Sequence, residues 1–177
     1  MSDPALDSAA MGRLAAGDDL ALNELMTRWQ QPLANFIFRY TGNEAESIDL
    51  AQETFVRVYE SRDRFKSGSK FSTWLFTIAI NLCRNQARWK SRHPTAELDD
   101  AIPDSTPTPH DNAVREETAA RVRRAIAELP HDLRVALVLY EYEDQSYAEI
   151  AEQLDCTVKA VETRLYRAKQ LLRTALT

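Results

Sequence analysis

The stretch from Ser146 to Leu172 constrains this chain more than any other part of it. Tyr147, Ile150, Ala151 and Leu154 recur at i, i+3, i+4 and i+7, the apolar stripe of one helix. Ser146 and Glu149 stand where a capping box opens such a helix. Asp155-Cys156-Thr157 breaks the pattern, and Thr157 is placed to cap a second helix with the stripe Val158, Val161, Leu165, Ala168 and Leu172. The opposite face of that helix carries Lys159, Thr163, Tyr166, Arg167 and Gln170, with Glu162 in its first turn. A helix that packs by one side and offers such groups on the other suits a DNA major groove. The unit therefore reads as a helix-turn-helix.

The 177 residues allow one domain or two small ones, and only four are glycine. No long alternating β-branched run appears, so the expected fold is all-α. No apolar run reaches membrane-spanning length and no basic-then-apolar leader opens the chain, so a cytoplasmic protein without membrane insertion is expected. Cys83 and Cys156 lack metal-ligand neighbours and read as buried free thiols in a reducing compartment.

The net charge of −5 conceals an uneven distribution. Arg84, Arg88, Lys90 and Arg92 fall together without an acid between them. From Thr157 onward five bases face one acid, Glu162, whereas Glu97–Glu117 holds seven acids and one base. Two basic segments on either side of an acidic one point to two nucleic-acid contacts on a tether. Residues 93–112 contain four of the seven prolines and almost nothing to bury, and read as a mobile linker. It separates an N-terminal helical domain, 1–92, from a C-terminal one, 113–177.

The N-terminal domain reads as a lead-in helix near Ala9–Ala16 and three main helices. Asp18 or Asp19 can cap the first of these. Its core stripe is Leu22, Leu25, Met26, Trp29, Leu33, Phe36, Ile37 and Tyr40, with a kink expected at Pro32 and an end at Thr41-Gly42-Asn43. The second, from about Glu44 to Arg62, buries Ile48, Ala51, Phe55, Val58 and Tyr59. Its other face presents Asp49, Gln52, Glu53, Val56 and Glu60, which fits either a docking surface or a plain solvated face. The third, from about Ser72 to Arg92, has the core stripe Phe71, Leu75, Ile78 and Leu82, with Trp89 extending it and Trp74 at its border. Thr73, Thr77, Asn81, Arg84, Arg88 and Arg92 line its opposite face. Hydroxyl, amide and guanidinium groups beside aromatics suit single-stranded or distorted DNA, although Trp and Phe at this spacing equally suit a core. The C-terminal domain reads as four short helices, the last two forming the helix-turn-helix.

No catalytic constellation is visible. His93, His110 and His131 lie in or next to the linker without a nucleophile or metal partner, and no glycine-rich phosphate loop occurs. A non-enzymatic protein without a cofactor is expected. The competing readings are a one-component helix-turn-helix regulator binding duplex DNA as a dimer and a small helical enzyme acting on RNA. Nothing in the first 92 residues marks a ligand pocket or a phosphoacceptor site.

Four segments in order, DLAQETFVRVY (Asp49–Tyr59), FSTWLFTIAINLCRNQARWKSR (Phe71–Arg92), LPHDLRVALVLYEYEDQSYAEIAEQLDCT (Leu129–Thr157) and VKAVETRLYRAKQLL (Val158–Leu172), resemble the extracytoplasmic-function sigma factors of bacteria. The resemblance implies a protein that binds core RNA polymerase and directs it to promoters, with an anti-sigma factor as a further partner. It implies docking of Asp49, Gln52, Glu53 and Val56 on the clamp helices of the polymerase's largest subunit. It assigns −10 recognition and melting to Lys66, Ser67, Lys70, Trp74, Thr77, Asn81, Arg84, Arg88 and Arg92, with the loop Phe65–Phe71 and Asn81 holding a flipped base. It assigns −35 reading to Lys159, Glu162, Thr163, Tyr166, Arg167 and Gln170. Glu162 stands where several relatives carry a base or small polar residue, so the −35 sequence does not transfer from them.

Overall fold

The computed structural model describes residues 4–66, 68–93 and 110–177. Every regular element among them is helical: α1 (Pro4–Ala15), α2 (Leu20–Thr41), α3 (Glu44–Glu60), a short 3-10 turn (Arg62–Arg64), α4 (Phe71–Arg92), α5 (His110–Ala127), α6 (His131–Tyr142), α7 (Tyr147–Gln153) and α8 (Val158–Leu176). No helix among the described residues is long and apolar enough to cross a membrane. The segment read as linker lies outside the described residues from 94 to 109, and α5 starts at His110, inside its expected end.

The helix boundaries follow local chemistry. The Asp18 carboxylate accepts from the Leu20 N–H at the start of α2. Gly42 ends that helix in the left-handed region (φ 72°), and its N–H donates to the Phe38 carbonyl. The Asn43 side chain then caps α3 by accepting from the Glu46 N–H at 2.9 Å. Pro32 is exposed and α2 continues through it; the ring costs one backbone donor where the helix already has a packed inner face.

Leu25, Leu33, Phe36 and Ile37 of α2 form the centre of the N-terminal core with Phe55 and Val58 of α3 and Leu75 and Phe76 of α4. Phe36 and Phe76 lie 4.9 Å apart, and Trp29 meets both Phe71 and Phe76 edge-on at 6.1 Å. Two predicted stripes are rotated in the structure. On α4 the buried face is Phe71, Leu75, Phe76, Ala79, Ile80 and Cys83, while Ile78 and Leu82 are half-buried at its edge and Trp89 is 53% exposed. On α3, Ile48 is 46% exposed and Ser47 and Thr54 are buried in its place. Both substitutes satisfy their hydroxyls on the helix's own carbonyls, Ser47 on Glu44 and Thr54 on Leu50.

The C-terminal helices close around Val135, Ala136, Val138 and Leu139 of α6, Ile150 of α7, and Val161, Leu165 and Ala168 of α8. Val158, expected in the α8 stripe, is exposed because it sits in the first turn, ahead of the contact with α6 and α7. The two sets of helices also pack on each other, α2 against α5 and α6, and α4 against α6.

Candidate nucleic-acid and polymerase interface

The helix-turn-helix is held by the capping its sequence announced. The Ser146 hydroxyl accepts from the Glu149 N–H, and the Glu149 carboxylate accepts from the Ser146 N–H at 3.0 Å and hydroxyl at 2.8 Å. These bonds, with a further one from Lys70, hold the Glu149 carboxyl far below its usual range, at about 2. Asp155 takes φ 48° in the turn, and the Thr157 hydroxyl accepts from the Ala160 N–H at 3.1 Å to open α8. An Asp is one of the few non-glycine residues tolerant of that backbone region.

On α8, Lys159, Glu162, Thr163, Tyr166, Arg167 and Gln170 are all exposed, and Tyr166 is the most exposed aromatic, at 66%. Glu162 carries an ion pair with Lys159 at 2.8 Å, one turn back on the same helix. Arg164, a base outside the predicted set, turns inward toward the Cys156 sulfur and Asp132.

On α4 the predicted polar face is one continuous strip. Thr77 is half-buried, its hydroxyl donating to the Thr73 carbonyl at 2.7 Å. Asn81 is exposed, and its amide oxygen accepts from Arg84 Nη2 at 2.8 Å. Arg88 and Arg92 are exposed further along. Trp74 is partly buried: its ring meets Phe65 at 5.3 Å and Phe71 at 6.3 Å, so one side belongs to the packing beneath the loop. Lys66 and Lys70 flank that loop, and Ser67 lies outside the described residues. Lys70 reaches Glu149 at 3.2 Å. On α3, Asp49, Gln52 and Val56 are exposed and Glu53 is half-buried, held by Arg57 at 2.8 Å. Ile48, displaced from the core, joins this stripe.

Two interactions escaped the sequence reading. Asp7 of α1 is buried and accepts from Arg28 Nε at 2.8 Å and Trp29 Nε1 at 3.0 Å. His131, which has no nucleophile or metal partner in the sequence reading, lies at the start of α6 with Nδ1 2.6 Å from the Tyr40 hydroxyl. Both join segments distant in sequence, so no local pattern marks them.

The sigma-70 region 2 model matches residues 25–93, and the sigma-70 region 4 model matches residues 119–172. The RNA polymerase sigma-H factor of Pseudomonas aeruginosa is 35% identical over 96% of this chain and 93% of its own length. The ECF RNA polymerase sigma-E factor of Escherichia coli K12 is 34% identical over 97% of this chain and 95% of its own. The solved structure of CnrH in complex with the cytosolic domain of CnrY aligns over 97% of both chains, with a TM-score of 0.71 and 28% identity. Regions 2 and 4, in that order on a chain whose described elements are all helical, define a sigma factor of the sigma-70 class. Within that class, the chain belongs to the extracytoplasmic-function sigma factors. The one-component regulator and the RNA-directed enzyme are set aside by this result, because the N-terminal helices are matched as a sigma region along with the helix-turn-helix.

Proposed function

We propose that this protein joins core RNA polymerase in the cytoplasm and directs it to a two-element promoter, each of its two domains supplying one contact and neither catalysing a reaction. The division follows the notion of two units, 1–92 and 113–177, on a tether between them. The observation that carries the reading is the coexistence of two separate polar faces, one partly exposed on α4 and one exposed on α8, with a third, acidic and apolar, on α3. Lys159, Glu162, Thr163, Tyr166, Arg167 and Gln170 read the −35 element in the major groove. Arginine and glutamine suit purine edges there, and Glu162, once released from Lys159, can accept from a cytosine amino group.

Lys66, Ser67, Lys70, Trp74, Thr77, Asn81, Arg84, Arg88 and Arg92 hold the −10 region. The bases neutralise phosphates, and Asn81 with the loop ahead of α4 offsets the few kcal/mol lost when a base leaves the stack. Asp49, Gln52, Glu53 and Val56 dock on the clamp helices of the polymerase's largest subunit, where Val56, at 49% exposure, supplies apolar contact within an acidic rim. An anti-sigma factor is the expected regulator; the related CnrH was solved with the cytosolic domain of CnrY.

In vitro transcription with purified core polymerase on a genomic fragment library tests this. New start sites that share two upstream elements and depend on this protein are expected. Duplex binding by the protein alone, without polymerase-dependent initiation, overturns the reading.

A further inference from the structure

Trp89 does not go where its spacing sends it. Helical period puts it at the end of the α4 core stripe, yet the residue is 53% exposed near the C-terminal end of that helix. Its indole lies nearly parallel to the His93 imidazole, with ring centroids 4.8 Å apart and planes at 22°. The imidazole is held in turn, its Nδ1 3.0 Å from the Trp89 carbonyl. Next to the stack Lys90 anchors this end of α4 to α3, its ammonium donating to the Glu46 carboxylate at 2.9 Å.

The stack continues the face already assigned to −10 contact. At about 100° per residue, Trp89 lies roughly 80° around the helix from Asn81, with Asn85 and Arg92 at angles between them. Asn81, Asn85, Arg88 and Arg92 are all exposed. A single apolar side chain on a surface needs no ligand to explain it. A flat column of two rings between two guanidiniums is a different object. One face of the indole is taken by His93, and its exposure lies on the rest of the ring. Aromatic faces bordered by cations match a ligand whose own rings are joined by phosphates, a nucleic-acid strand.

Inside a duplex each base is stacked on both sides and offers no free face; a base at the end of the stack does. Resting on the function proposed above, we propose that Trp89, backed by His93, stacks on the base at the edge of the melted −10 segment and caps the duplex there. Arg88 and Arg92 hold the adjoining phosphates. Along α4 the platform stands about 12 Å from Asn81, which spans three or four nucleotides at about 3.4 Å each. The base pocket and the platform thus grip two points of one short opened segment. Because every base has a π-face, the platform senses a fork and not a particular base.

The test compares two probes built on a promoter found in the transcription experiment above: an intact duplex, and a fork with the −10 segment single-stranded. Holoenzyme carrying Trp89→Ala should bind the fork about tenfold more weakly, equivalent to about 1.4 kcal/mol and within the range for one base–aromatic stack. Its affinity for the intact duplex and for core polymerase should stay within about twofold of wild type, since neither contact uses a free base face. Trp89→Tyr should restore the fork affinity. Trp89→Leu keeps an apolar side chain without a π-face, so it should lose as much as Trp89→Ala. Unchanged fork affinity in Trp89→Ala, full affinity in Trp89→Leu, or equal losses on fork and duplex overturn the platform. A loss of core affinity instead makes Trp89 a polymerase contact and overturns it too. Wild-type holoenzyme that initiates on no promoter overturns the sigma-factor function and the platform with it; wild type that initiates normally while the variants match it overturns the platform alone.

Discussion

Asp7 is a carboxylate in a core, and its cost is met by two donors from the next helix, Arg28 and Trp29. Removing it would leave a largely buried guanidinium and an indole N–H unpaired. Asp7→Ala should therefore lower unfolding free energy by about 2–3 kcal/mol, at or just below the bottom of the range for broken buried pairs because Arg28 is partly exposed. Urea denaturation measures this directly. Glu149 is the opposite case, an exposed carboxylate stabilised by local bonds from Ser146 and by Lys70. Its carboxyl resonance should titrate near 2 by NMR, and its contribution to the helix-turn-helix should be present above pH 4.5 and fade as the pH falls through 2. Burial pushes the Cys83 thiol up to about 12, so at neutral pH almost none is thiolate. Thiol reagents should modify the half-exposed Cys156 well before Cys83, as mass spectrometry after timed labelling would show.

Helices present faces, and the three proposed interfaces are helix faces. Arg167→Ala on α8 removes a charged donor from the exposed side without touching the Val161–Leu165–Ala168 packing. It should reduce transcription from a −35-dependent promoter about tenfold, at about 1–3 kcal/mol for a lost base contact, while a promoter independent of the −35 element is spared. Glu53→Arg on α3 reverses charge within the docking stripe and breaks the pair with Arg57. Affinity for core polymerase should fall several-fold, with the melting temperature little changed because the pair is exposed. Asn81→Ala should slow promoter opening more than core binding; equal losses in both would remove Asn81 from the melting step. On α4 the wheel drawn from Phe71, Leu75, Ile78 and Leu82 pointed the core too far toward Trp89. The helix is gripped by α2, α3 and α1 together, and small Ala79 and Cys83 let the backbone come close on a face that hydrophobicity alone does not distinguish.

At the scale of the whole molecule, the two helical sets form one packed body through α2, α4, α5 and α6. The free protein should scatter as a particle with a radius of gyration near 16 Å at pH 7.5, in contrast to the larger value expected of two units on an extended tether. Scattering at low protein concentration distinguishes the two. The binding faces remain outside this contact to different degrees: α3 and the outer side of α8 are open, whereas Lys70 is engaged and Arg84 lies close enough to His131 to shift it.

The sequence by itself determined the all-α class, the caps at Ser146 and Thr157, the helix-turn-helix and the outward face of α8. Each of these depends on residues within a few positions of one another, where helical period and side-chain-to-backbone bonding act directly. Tertiary structure decided the exposure of Ile48 and Trp89, the burial of Asp7 and the pairing of Tyr40 with His131, 91 residues apart. These depend on which helix faces which, a choice set by the sum of packing over several helices and written in no single stretch of chain.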